Sequence, residues 1–203
     1  LSLASLALRA LLAAQANPNN EITRVGIDPE TGDSIAIGFE YRKCWTPGKV
    51  LHGRFLDGDP VVQQKVAEVA KQWEEFANIK FVFDDAADAL IRISFQADGY
   101  WSWIGLDALR IAPDKPTMSL DGLRRNTPDD EYCRVVLHEF GHALGAIHEH
   151  SHPHHSIPWD EEKVIAHYAG SPNFWDEAKT RFNVLFRYSE TLINGGEFDP
   201  HSI

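Results

Sequence analysis

The sequence predicts an α/β domain in which a mixed, twisted sheet lies beneath two long helices. Three observations carry this. Five short runs rich in β-branched and aromatic residues lie between 49 and 120. One apolar stripe at helical spacing follows Asp59, and another follows Thr127. Strand, helix, several strands, then a second helix is the order of a layered α/β unit.

The 203-residue chain is 43% hydrophobic and 24% charged, enough for one domain with a substantial core. Its net charge of -11 repels phosphate backbones, so nucleic acid is excluded as an expected partner. No apolar stretch is long enough to span a bilayer. The oligomeric state is not readable. Two cysteines, Cys44 and Cys133, lack metal-site spacing, and a single disulfide and two buried thiols fit equally.

Residues 1–40 read as an N-terminal segment. The opening apolar run ends in small residues at Ala14, Gln15 and Ala16. A secretory signal and an ordinary helix both fit it, with Arg9 interrupting the run. Residues 17–33 are rich in turn formers and read as a linker. The compact domain is expected over 41–203, and its location outside the cell.

Residues 49–56 are expected as a strand. Asp59 then serves as N-cap with Pro60 at the first helical position. Val62, Val66, Val69, Trp73 and Phe76 recur at steps of three and four, as on a helix lying on a core. Strands are expected at 80–83 and 90–95. In the second, Arg92 and Ser94 alternate with Ile91, Ile93 and Phe95, which predicts one wet face. Short strands follow at 101–105 and 117–120. Thr127 with Asp130 matches a capping box, opening a helix through Val135, Val136, Phe140 and Leu144 to Gly145. Helices at 160–169 and 172–182, capped by Asp160 and Ser171, complete the reading.

The second helix carries the chemistry. His138 and His142 are four residues apart and project from one face, so both imidazoles can hold one Zn²⁺. Glu139 lies beside them about 100° around the helix, placed to be a general base rather than a ligand. Gly145 lets the chain turn back so that His148 can complete a three-histidine set, leaving a fourth position open for water. The competing explanation is two surface histidines on a helix. It accounts for His138 and His142 but not for Glu139, Gly145 and His148 at fixed offsets. His150, His152, His154 and His155 prolong the histidine run and read as a mobile, solvated loop.

The pattern H-E-x-x-H-x-x-G-x-x-H resembles that of the metzincin metallopeptidases. Glu149 and His150 after the third histidine are similar to the astacin family and its bacterial and fungal relatives. The stretch 99–105 is similar to that family's edge strand, and 117–120 to its next strand. The resemblance implies a zincin-like α+β fold, an endopeptidase using one Zn²⁺ per chain, and a protein or peptide substrate. It assigns His138, His142 and His148 to the metal, Glu139 to catalysis, and Trp101, Ser102, Trp103, Ile104 and Gly105 to substrate. Gly145 and Glu149 are structural, with Glu149 contacting the processed N-terminus. Trp159 is a further aromatic near the site, read as core or subsite lining. The final residues 198–203 resemble the lead-in to the family's Met-turn. The expectation is a fragment ending just before that methionine, with the C-terminal subdomain largely missing. A non-catalytic zinc-binding protein or inactive fragment is the alternative, and cleavage by a zinc-loaded sample separates the two.

Overall fold

The computed structural model describes residues 43–171, 173–188 and 198. The signal, linker and Met-turn readings lie outside the described residues, apart from Phe198. Strand β1 (Lys49–Phe55) leads to helix α1 (Pro60–Ala70), followed by a 3₁₀ turn, Lys71–Glu75. Strands β2 (Ile79–Phe83), β3 (Ile91–Ser94) and β4 (Tyr100–Ser102) follow. A 3₁₀ turn, Gly105–Arg110, separates β4 from β5 (Met118–Leu120). Helix α2 (Asp129–Leu144), a turn at Glu149–Ser151, α3 (Glu161–Ala169), α4 (Glu177–Thr180) and a π turn, Arg181–Leu185, complete the described chain.

The five strands form one sheet in the order β2-β1-β3-β5-β4. All neighbours run parallel except β4, which is antiparallel to β5 with Trp101 opposite Ser119. This is the expected mixed α+β sheet, and it leaves β4 at one edge.

Helix α1 starts as its sequence demands. Asp59 accepts from the Val61 amide at 2.9 Å, and Pro60 occupies the first turn. Val62, Val66, Val69 and Trp73 are buried against the sheet and α2. Phe76, the last member of the stripe, is 43% exposed instead. The tighter 3₁₀ winding after Ala70 rotates it off the apolar face. Between helix and sheet, Phe81 meets Phe140 edge to face at 5.2 Å. Trp73 donates its indole N–H to the Leu137 carbonyl at 3.1 Å.

Strand β3 corrects the expected wet face, because all four of its residues are buried. It is the centre of the sheet, covered on both sides as parallel strands are. Arg92 survives burial by donating hydrogen bonds to backbone carbonyls. Its guanidinium donates to Ala89, Lys115, Ile111 and Ala112 at 2.7–3.2 Å.

Two caps also differ from expectation. Thr127 accepts from the Arg124 amide in the preceding turn, so α2 begins without a side-chain cap. Three acidic residues, Asp129, Asp130 and Glu131, sit in its first turn and complement the positive helix end. Asp160 caps α3 as read, accepting from Lys163. The helix expected from 172 starts only at Glu177, where Asp176 caps it rather than Ser171. Cys44 and Cys133 are both half-buried and are not bonded to each other. Among the described residues no helix is long and apolar enough to cross a membrane.

Candidate active site

Helix α2 carries His138, Glu139 and His142 on its buried side, with residue exposures of 5%, 2% and 3%. Gly145 ends the helix in the left-handed region at φ 111°. Its amide donates to His142 and the next amide, Ala146, donates to Gly141, each at 2.9 Å. These paired bonds close the last turn in the Schellman manner and send the chain back beneath the helix. Three residues on, His148 returns to the two helical histidines.

The three Nε2 atoms converge. His142 lies 3.0 Å from His138 and 3.1 Å from His148, and His148 lies 3.3 Å from His138. Zn–N bonds of 2.0–2.1 Å with tetrahedral angles would set ligand nitrogens about 3.3 Å apart. His142 donates its Nδ1 proton to the Ala146 carbonyl at 2.8 Å. That bond fixes the tautomer and turns the Nε2 lone pair inward. Burial pushes His138 and His148 well below the usual imidazole range. Burial also lowers His142 to about 4, opposed by its bond to Ala146. Neutral imidazole is the metal-binding form, so the trio fits a divalent ion with nitrogen preference. Among the described residues it is the only such cluster of ligand atoms.

Glu139 follows His138 on the same helix and is not one of the three converging ligands. Its Oε2 is buried and makes no hydrogen bond among the described residues. Burial raises its carboxyl well above the usual range, and the Arg134 cation works against that. Arg134 is itself held by Glu131 through bonds of 2.7 and 2.5 Å. A lone buried carboxyl with a raised proton affinity is a candidate for proton transfer.

The stretch 101–105 is split by the fold. Trp101 and Ser102 belong to edge strand β4, and the Trp103 amide donates to Thr117 at 2.9 Å. Trp101 bonds through its indole to Ala97 and Asp98, and the Ser102 hydroxyl donates to the Trp103 carbonyl. Ile104 is buried, and with Ile147, His148 and Phe182 it lines a small cavity beside the third histidine. Gly105 opens the following 3₁₀ turn. Glu149 is buried in the turn after His148.

The histidine run is not the solvated loop the sequence suggested. His152 and His155 are 2% and 3% exposed, and only His154 faces solvent. Phe198 lies 6.2 Å from both buried rings. Backbone amides two residues on donate to the Nδ1 atoms of His152 and His155, which fold the segment onto itself. His150 stacks on His148 at 5.2 Å and bonds to the Asn183 carbonyl. Composition alone carried no signal for that stacking, nor for the Ala146 carbonyl that orients His142. Trp159 is half-buried, and its indole N–H has no partner among the described residues.

The depressed histidines predict an acid-sensitive metal-free state. The unfolded chain, with ordinary imidazoles near 6.5, takes up protons before the folded one does. Stability from neutral His142 is therefore present above pH 6.5 and lost as pH falls towards about 4. That gap corresponds to on the order of 3 kcal/mol. Urea unfolding of chelator-treated protein at pH 7, 5.5 and 4 should show a falling midpoint. A constant midpoint would mean that these rings are solvated.

Comparison with known proteins agrees with this geometry. The family model described as Astacin, a family of peptidases, matches residues 39–166. The structure matches that described as "Structure of myroilysin" with 39% identity and a TM-score of 0.77, covering 80% of this chain and 79% of that one. It also matches a "Crystal structure of myroilysin" at 34% identity and a TM-score of 0.58, covering 84% and 80%. The chain has no significant match among curated proteins. With the family model spanning most of the chain and the histidine triad formed as described, the protein belongs to the astacin family of metallopeptidases.

Proposed function

We propose that the chain is a zinc-dependent endopeptidase in which His138, His142 and His148 hold one Zn²⁺ and Glu139 is the general base. When bound, the ion supplies a Lewis acid that polarises a peptide carbonyl and lowers the pKa of water from 15.7 towards roughly 7. Glu139 accepts the proton of the attacking water and returns it to the departing amine nitrogen. The observation that carries this role is its buried Oε2, which no group among the described residues satisfies, one residue from a proposed ligand. Edge strand β4 and the continuation to Gly105 offer backbone groups to an extended peptide, which would add to the sheet as a further strand. Gly145 makes the return to His148, and Glu149 supports the turn beyond it. Such an enzyme acts outside the cell on protein or peptide substrates.

The test is to measure zinc and casein cleavage on one sample, before and after a chelator and after zinc is restored. About one zinc per chain and cleavage that vanishes and returns with the metal are expected. Full cleavage by metal-free protein would sink the proposal. Stoichiometric zinc without any cleavage would mark a non-catalytic zinc protein instead.

A further inference from the structure

Lys43 and Asp107 form a buried ion pair that the chemistry above does not use. Their side chains are only 5% and 9% exposed. Lysine is almost never buried without a charged partner, and a pair like this holds its two segments together. The segments are far apart in sequence. Lys43 precedes β1, whereas Asp107 sits in the turn that continues the edge strand. Nearby Arg110 is 3.9 Å from Asp107 and 72% exposed, so it is a poor substitute.

The backbone of the same residue is equally constrained. A Cβ on Gly105 would come within 1.9 Å of the Lys43 carbonyl oxygen, and Gly105 has φ +47°. Only glycine allows this approach. The next two residues reach the other wall of the site. A Cβ on Gly145, at the end of the metal-bearing helix, would lie 3.0 Å from Cys44 Sγ. Trp45 donates its indole N–H to the Ala143 carbonyl at 2.8 Å. Three consecutive residues thus reach both the turn that continues the edge strand and the end of α2.

We infer that residues 43–45 are a strap that sets the spacing between the peptide-pairing edge and the metal-bearing helix, with Lys43 as a positioning residue locked by Asp107. The inference rests on the peptidase reading for its catalytic consequence but not for its geometry. Without Lys43, the Asp107 carboxylate would be left buried and uncompensated, and would turn towards water. Gly105 and Ile104 would move with it. Displacement of about 1 Å at a substrate-aligning group is enough to cost rate or binding.

The experiment uses the full zinc-loaded chain as wild type, Lys43→Met, Lys43→Arg and Asp107→Asn. Two things are measured: amide hydrogen exchange over residues 99–110, and kcat and KM. The substrates are a peptide long enough to pair along the edge and a dipeptide amide that cannot. Lys43→Met and Asp107→Asn should speed exchange over 99–110 and raise KM for the long peptide about tenfold, with zinc content and dipeptide cleavage unchanged. Lys43→Arg, which keeps the pair, should restore both. Unchanged exchange and KM in either folded variant would overturn the strap. So would equal loss on both substrates, or a failure of Lys43→Arg to rescue. If wild type cleaves neither peptide while exchange still responds and Lys43→Arg restores it, the strap stands and the peptidase reading falls.

Discussion

Glu139→Gln should keep its zinc and lose about 10²–10⁴ in kcat, the usual contribution of a positioned general base. The substitution is nearly isosteric, so the packing of a residue that is 2% exposed survives it. Glutamine cannot accept the proton of water, which is the step assigned to Oε2. It also removes a carboxyl whose burial disfavours charge, so the folded variant should be no less stable than the parent. The measurement is zinc by elemental analysis together with kcat and KM on one preparation. Full activity at full zinc occupancy would remove Glu139 from the mechanism. Loss of zinc would instead place the carboxylate among the ligands.

The second large effect concerns the metal itself. Replacing His142 by Ala removes one of three converging nitrogens and the bond to Ala146 that aims it. Loss of an outer partner commonly costs a metal site about 10–100-fold in affinity or activity, and loss of a direct ligand should exceed that. His148→Ala is the sharper variant, because His148 lies outside the helix and its removal leaves α2 intact. Equilibrium dialysis should show zinc affinity falling more than about 100-fold in both. If His148→Ala bound zinc as tightly as the parent, the site would reduce to the two helical histidines.

The sequence by itself determined the parts of this protein that are local. The spacing of His138 and His142 is one helical turn, so the helix that the apolar pattern demanded brought them together. Gly145 sits where only a left-handed residue turns the chain, and His148 follows at the length of that turn. Asp59 and Pro60, or Asp160, start helices through bonds made within three residues. The tertiary structure decided what depended on distant partners. Arg92 reads as a surface residue of an alternating strand, yet carbonyls up to 23 residues away bury it. Thr127 matched a capping pattern, but the preceding turn took its hydroxyl. The polar histidine run looked solvated, and packing against Phe198 together with local amide bonds buried two of its rings. Lys43 and Asp107, 64 positions apart, have no pattern linking them, because a buried charge chooses its partner by proximity after folding. Periodicity and caps are short-range and can be read along the chain, whereas the satisfaction of a buried polar group is settled only when the fold has brought its partner near.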